Sequence, residues 1–234
     1  MKKLLLALVC SAVSPLAFAD LYNQNVTAIY GSGNPNGGWA TDSGSGITLA
    51  LRAKNRNTGA TPNVNGVYSF ATGFSSPANN RALWNYEFSI NSGSSFLGAY
   101  DYYLSIDTNP ALNVSFTTIS PLLAFGDNSY GTAVTLNGQG AEGPAANFIG
   151  SNSIAQNSQN IFFIGLNPLL NATYNYDLFA VTSGAGVNGT RLASVAMQVV
   201  VGTGGTAVPD AASTSLLIGL GLAGLVGLRR SRRA

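Results

Sequence analysis

Four segments of the chain alternate between apolar and polar residues with a period of two. The apolar residues occupy every second position in 84–90, 100–106, 174–178 and 193–201. Successive side chains of a β-strand point to opposite faces, so a strand with one buried face requires this pattern. No stretch between these segments shows a capped amphipathic helix of about ten residues or more. The alternation therefore predicts an all-β domain.

Turn signals separate the predicted strands. Asn-Gly pairs occur at 36–37, 65–66, 137–138 and 188–189, and this pair suits tight turns. Many short strands joined by turns favour an antiparallel β-sandwich or jelly-roll-like fold over residues 20–201. A flexible Gly/Thr linker follows at 202–207. Further strands are predicted at 26–30, 46–54, 67–72, 112–119 and 160–165, and long loops at 31–46 and 126–160.

The first 19 residues have the layout of a secretory signal peptide. Lys2 and Lys3 precede an apolar run, and Ala17 and Ala19 form an A-x-A cleavage site before Asp20. We therefore expect export through the Sec translocon and cleavage by signal peptidase.

The composition of the exported body excludes several function classes. Residues 20–208 carry five basic residues and eight carboxylates, a net charge of −3, with no concentrated basic face for nucleic acid. The chain has no histidine, and its single cysteine, Cys10, lies in the signal peptide. Thiol nucleophiles, Ser-His-Asp triads, the usual zinc ligand sets and haem ligation are therefore not expected in the body.

The C-terminal segment has the features of a membrane anchor. Residues 211–228 are 18 uncharged residues, which as a helix would span about 27 Å, close to the hydrocarbon core of a bilayer. Positive residues near a membrane helix stay cytoplasmic, so the body is expected outside. The cluster that follows the apolar segment consists of Arg229, Arg230, Arg232 and Arg233.

Residues 208–234 resemble a PEP-CTERM sorting signal in its Val-Pro-Asp variant. The motif residues are Val208, Pro209, Asp210, Ala211, Ala212, Ser213 and Thr214, followed by the apolar helix and the arginine cluster. The resemblance implies recognition by an exosortase, a membrane-embedded cysteine transpeptidase, and cleavage near Pro209 and Asp210. It also implies a protein that is transiently anchored in the inner membrane and then lies at the cell surface or outside the cell. Proteins with this signal are associated with extracellular polysaccharide and biofilm.

The body is also similar to a set of uncharacterised exported proteins with this tail. This resemblance implies no activity. The segments that carry it are 30–39, 84–91, 100–110, 126–131 and 152–160.

Few side chains in the body suit catalysis. If strands 84–91 and 100–107 pair, Glu87 would approach Asp101 or Asp107, as a glycosidase requires of two carboxylates. The alternative is a polar outer face of the sandwich, which the sequence favours because no catalytic motif is present. We therefore assign no catalytic residue and expect a protein that is not an enzyme.

Two turns contain the oxygen ligands that Ca²⁺ prefers. Asp107 and Asn109 lie in one, and Asp127 and Asn128 lie in the other. Asp and Asn also stabilise turns through their own side chains, and this alternative is favoured. No other cofactor is expected.

Three aromatic residues are candidates for contact with sugars. Tyr103 and Phe179 point away from the predicted core faces, and Trp39 lies in a Gly-rich segment. The sequence thus favours an exported surface or matrix protein with a structural or adhesive role in exopolysaccharide. The alternative is a lectin-like module that binds extracellular polysaccharide, with or without calcium.

Overall fold

The computed structural model describes residues 20–56, 58–76 and 81–205. Three predicted features lie wholly or partly outside the described residues: the signal peptide 1–19, residues 206 and 207 of the linker, and the sorting signal 208–234. Within them, the chain forms one short α-helix, α1 (Pro121–Ala124), and 3₁₀ turns at Leu97–Ala99, Ala145–Asn147 and Ile161–Ile164. The strands are β1 (Leu21–Gln24), β2 (Trp39–Gly44), β3 (Ile47–Asn55), β4 (Val67–Phe70), β5 (Phe74–Ser76), β6 (Arg81–Ala82), β7 (Trp84–Asn91), β8 (Tyr100–Asp107), β9 (Phe116–Ile119), β10 (Asn128–Gly131), β11 (Ala141–Gly143), β12 (Ile154–Gln159), β13 (Ala172–Thr182) and β14 (Arg191–Val201).

The strands form two main sheets and a small two-stranded one. The larger sheet has seven strands in the order β1-β2-β3-β7-β12-β10-β11. The smaller sheet has five strands in the order β4-β14-β13-β8-β9, and β5 pairs with β6. The prediction of an all-β fold is confirmed.

One strand pair departs from the predicted antiparallel arrangement. Strands β4 and β14 run parallel, with Val67 opposite Gln198, whereas the other paired strands are antiparallel. Parallel neighbours need a long connection, and most of the chain lies between these two strands. Purely local alternation carries no information on such a distant partner.

The core lies between the inward faces of the two main sheets. Trp84 and Tyr86 of β7 meet Tyr174 and Tyr176 of β13, with ring centroids 5.2 Å and 5.0 Å apart. Phe70 of β4 stacks on Trp84 at 5.6 Å. The inward residues of β7 that the alternation predicted are buried, and the same holds for β13, β14 and β8, except that Tyr100 of β8 is half-buried.

The shorter predictions are partly wrong. Segments 46–54, 67–72 and 112–119 contain β3, β4 and β9, but 26–30 forms no strand and 160–165 forms a 3₁₀ turn. In that turn, the Asn160 side chain accepts a hydrogen bond from the Phe162 N–H, and Gly165 ends the turn in the left-handed region. The long loops predicted at 31–46 and 126–160 contain β2, β10, β11 and β12, because pairing within the sheet overrides their Gly- and Asn-rich composition.

Residues 26–38, the covering segment, lie over the outer face of the larger sheet. The Ile29 N–H donates to Gln156 Oε1 of β12 at 2.8 Å, and the Ala28 carbonyl accepts from the Gly138 N–H at 2.9 Å. Beneath the segment is a second small core of Ala28, Tyr30, Trp39 and Ala50. The larger sheet is therefore buried on both faces, which explains why Glu87 and Ser89 of β7 are buried and not solvent-facing.

An ion pair lies under the covering segment. Arg52 of β3 and Glu87 of β7 are neighbours in the register, and Arg52 Nε lies 2.5 Å from Glu87 Oε2. Both side chains have no exposed surface. The Tyr30 hydroxyl donates to Glu87 Oε2 and accepts from Arg52 Nη2, and Lys54 Nζ lies 3.6 Å from Glu87 Oε1. Burial and the Glu87 carboxylate raise the pKa of Tyr30 well above its ordinary value, so the hydroxyl keeps its proton.

Arg52 also holds the covering segment in place. Its Nη1 donates to the carbonyl oxygens of Pro35 and Gly37, each at 2.7 Å. Its guanidinium lies 4.3 Å from the centroid of the Trp39 ring, which gives a cation–π contact. One buried cation thus joins the sheet, the segment and the second core.

Replacing Glu87 by Gln should lower the free energy of unfolding by about 3–5 kcal/mol, because the Arg52 charge would stay buried without its partner. Replacing Tyr30 by Phe keeps the ion pair and removes one hydroxyl, so the expected loss is only about 1–2 kcal/mol. Urea denaturation followed by tryptophan fluorescence measures both values. Similar losses in the two variants would show that the ion pair is not the main interaction here.

Candidate functional site

A groove of about 890 Å³ crosses the outer face of the smaller sheet. Its floor comes from β13 and β14, because the residues next to the inward Tyr176 and Met197 must point outward. Its two rims come from the edges of the sheet. The lining residues are Asp20, Tyr22, Asn65, Gly66, Val67, Asn113, Val114, Phe116, Asn175, Tyr176, Asp177, Ala196, Met197 and Gln198.

A chain of polar side chains forms the floor. Asn175 and Gln198 face each other in the register of β13 and β14, and Gln198 Nε2 donates to Asn175 Oδ1 at 3.0 Å. Asn175 Nδ2 donates in turn to Asp107 Oδ2 of β8 at 3.2 Å. Each amide has two N–H donors and an oxygen with two lone pairs, and these contacts use only part of that capacity. Both amide side chains are half-buried, so the remaining capacity is available to a ligand.

Aromatic rings stand at the two rims. Phe116 of β9 is 50% exposed at one edge of the sheet. Tyr22 of β1 stands at the other edge, against Gly66 of the predicted Asn65-Gly66 turn. Gly66 has a φ of +78°, and a Cβ there would lie 2.9 Å from the Tyr22 ring. Glycine is therefore required both for the turn and for the approach of the ring.

The charges along the groove are negative. Asp20 and Asp177 are the ionisable carboxylates among its lining residues, and that lining contains neither Lys nor Arg. Burial raises the pKa of Asp20, and the nearby carboxylates of Asp42 and Asp177 raise it further. Asp177 is paired with Arg191, whose Nη2 lies 2.6 Å from Asp177 Oδ2.

The predicted aromatic contacts lie elsewhere. Trp39 is the first residue of β2 and has no exposed surface beneath the covering segment, so a sugar has no face of this ring to stack on. Tyr103 and Phe179 do point outward from the smaller sheet, with ring centroids 5.4 Å apart. Phe179 is only 2% exposed, however, because the Arg191 guanidinium covers its ring at 4.0 Å. Tyr103 is half-buried and is not among the groove residues.

The predicted calcium ligands are engaged in hydrogen bonds. Asp107 Oδ1 accepts from the N–H groups of Asn109 and Ser115, each at 3.0 Å, so it stabilises its own turn. Asp127 Oδ1 accepts from Asn157 Nδ2 at 2.9 Å, as does Asn128 Oδ1. The two turns belong to different sheets. Within the described part of the chain, no three acidic, His or Cys side chains group as a metal site would require.

The postulated carboxylate pair does not form. Strands β7 and β8 lie in different sheets, where β7 pairs with β3 and β12, and β8 pairs with β13 and β9. Glu87 is buried under the covering segment against Arg52, whereas Asp107 faces outward from the smaller sheet. Asp101 accepts a hydrogen bond from the Gly184 N–H at 2.9 Å, at the β13–β14 turn. The pairing of 84–91 with 100–107, on which this carboxylate pair depended, is therefore not present.

The groove residues themselves were not predicted. The alternation places Asn175 and Gln198 on the outer faces of their strands, but only the pairing of β13 with β14 sets them opposite each other. Tyr22 and Phe116 come from segments without strong alternation. The outward polar positions of the longest strands were the available signal.

Among residues 20–56, 58–76 and 81–205, no helix is long and apolar enough to cross a membrane. The spanning segment predicted at 211–228 lies outside these residues. Comparison of the chain with protein-family models, curated proteins and solved structures finds no match.

Proposed function

We propose that the protein is an exported bacterial surface or matrix protein, sorted by exosortase, which holds an extracellular polysaccharide in the groove of the smaller sheet. The signal peptide pattern of 1–19 and the PEP-CTERM-like tail at 208–234 support the export and the sorting. The groove, with its amide floor between two aromatic rims, carries the binding part of the proposal. Its role is structural or adhesive, since the protein would link a glycan to the cell surface or the matrix.

The chemistry of the groove suits a sugar chain. Sugar hydroxyls both donate and accept, as do the amides of Asn175 and Gln198. The apolar faces of sugar rings pack on aromatic side chains, which Tyr22 and Phe116 supply. From β4 to β9 the sheet extends over four strand spacings, or about 19 Å, which is long enough for several sugar units.

The charge of the groove favours a neutral glycan. The groove lining offers no Lys or Arg to pair with the carboxylates of a polyuronate, and Asp177 is already paired with Arg191. Calcium is not needed for the contacts proposed here, so a chelator should leave binding unchanged.

The finer fold assignment belongs to the same proposal. The chain passes repeatedly between the two main sheets, as in β1–β3, then β4, then β7, then β8 and β9. This supports a jelly-roll-like sandwich, a fold common among glycan-binding domains. The second candidate function is a passive structural component, which the low charge and the absence of histidine would also suit.

Asn175→Ala and Gln198→Ala should each weaken binding to a neutral glucan about tenfold, since each removes hydrogen bonds worth about 1.4 kcal/mol. Gln139→Ala is the matched control, because Gln139 is exposed outside the groove. Co-sedimentation with the host polysaccharide, a neutral glucan and a polyuronate measures the affinities. If the unaltered protein binds none of the three polysaccharides, the passive structural role is the remaining candidate function.

Phe116→Ala should also weaken binding several-fold, because a ring that is already half-exposed stacks on the sugar without contributing much to the core. Phe96→Ala is its control, since Phe96 is 57% exposed and lies outside the groove. If the two variants bind with equal affinity, the rim at Phe116 is not part of the proposed site.

The sorting proposal predicts a shorter mature protein. In a host with exosortase, the intact mass of the surface form should be that of a chain without Arg233 and the rest of the tail beyond the Pro209–Asp210 region. A host without exosortase should keep the tail in its membrane fraction. A surface form that still contains Arg233 in the first host would contradict exosortase processing.

A further inference from the structure

We propose that one end of the sandwich rests on the lipid surface while the C-terminal tail is still in the membrane. This inference rests on the proposed insertion of the tail. The surface, called the exit end, consists of segments 71–76, 108–115, 160–171 and 202–205. Its occupant is the headgroup region of the bilayer.

Hydrogen bonds bring three of the four segments of the exit end together, and the Pro110 carbonyl of the fourth accepts from the Thr173 N–H near the start of β13 at 2.9 Å. The Gly202 N–H donates to the Phe70 carbonyl at 2.9 Å, and the Thr203 N–H donates to Asn171 Oδ1 at 3.1 Å. The Gly73 N–H donates to the Pro168 carbonyl at 2.9 Å. The chain therefore leaves the sandwich between these loops.

Large apolar side chains are exposed at this end. They have 41–64% of their surface exposed. One of them, Phe162, lines a shallow groove of about 300 Å³ with Leu166, Phe74 and Pro168. Exposed apolar residues grouped at one end are typical of a contact surface. The exposed residues are Leu112, Val114, Phe162, Phe163, Leu169 and Leu170.

The charges at the exit end suit an anionic bilayer. Its four segments contain neither Asp nor Glu. The Arg81 guanidinium lies beside them, 5.3 Å from the Phe163 ring. Burial and the nearby charge of Arg81 lower the pKa of Arg56, so the two cations lie near each other. Protein segments that lie at a membrane interface typically combine cations with Phe and Leu side chains.

The tether to the membrane is short. The apolar stretch begins at Ala211, six residues after Gly205. A fully extended chain of that length reaches about 20 Å. If the stretch spans the bilayer, the exit end must therefore stay close to the surface, whereas the opposite end of the sandwich is farther away by the length of the strands.

The test uses the full chain, purified from the membranes of a host without exosortase and placed in vesicles of phosphatidylcholine and phosphatidylglycerol. Removal of the signal peptide takes away Cys10, the single cysteine of the chain, so one cysteine is introduced for a polarity-sensitive dye. The three positions are Leu169→Cys at the exit end, Val134→Cys on a loop at the other end and Leu217→Cys in the apolar tail. Lipids that carry a quencher just below the headgroup report contact with the bilayer.

We expect strong quenching at Leu169→Cys and Leu217→Cys, and little at Val134→Cys. Replacing both Leu169 and Leu170 by Ser should reduce the quenching of a dye at Phe163→Cys, because the leucines make the contact. Quenching at Leu217→Cys with none at Leu169→Cys would overturn the membrane contact but keep the tail insertion. No quenching at Leu217→Cys would overturn the insertion, and the contact with it. A blue shift at Leu169→Cys that is independent of the quencher would show that a second copy of the chain covers this end.

Discussion

The ion pair between Arg52 and Glu87 decides which faces of this sandwich are closed. A sheet of an antiparallel sandwich normally has one solvated face, and a carboxylate on that face needs no partner. Here, Glu87 is fully buried, and Arg52, Tyr30 and Lys54 surround its carboxyl group. Arg52 then binds the covering segment through two carbonyl oxygens. The larger sheet is thereby closed on both sides, and the outer face of the smaller sheet carries the groove.

Carboxylates also protect the edge of the smaller sheet. Strand β4 covers β14 only from Gln198 onward, so the N–H groups of Ser194 and Ala196 lack a neighbouring strand there. Asp42 Oδ2 accepts from the Ser194 N–H at 3.0 Å, and the Asp20 carboxylate accepts from the Ala196 N–H. An unpaired strand edge invites association with other chains, and side chains that bind its N–H groups prevent this. Asp20 also lines the groove, so one residue takes part in both edge protection and the proposed site.

The sequence predicted those parts of the fold that depend on local periodicity. Strands β7, β8, β13 and β14 were found because each buries one face against the core, and residues two apart then have the same environment. The burial of Glu87 was not predictable from its own strand, since the segment that covers it lies about fifty residues earlier in the chain. The burial of Trp39 was not predictable from its own segment for the same reason, because its surroundings include Arg52 from the next strand. The groove depends on which strands pair, and alternation contains no such information.

The two proposed surfaces are connected through the position of the groove along the strands. Asn175 is the fourth residue of β13, so the floor of the groove lies about 10 Å from the exit end. Loop 108–115 contributes Leu112 to the exit end and Asn113 and Val114 to the groove rim. While the tail is inserted, the groove would therefore face the space just above the bilayer, where a long polysaccharide has little room. Cleavage near Pro209 and Asp210 would free the exit end from the membrane and open the groove to the matrix, so that sorting and binding occur in that order.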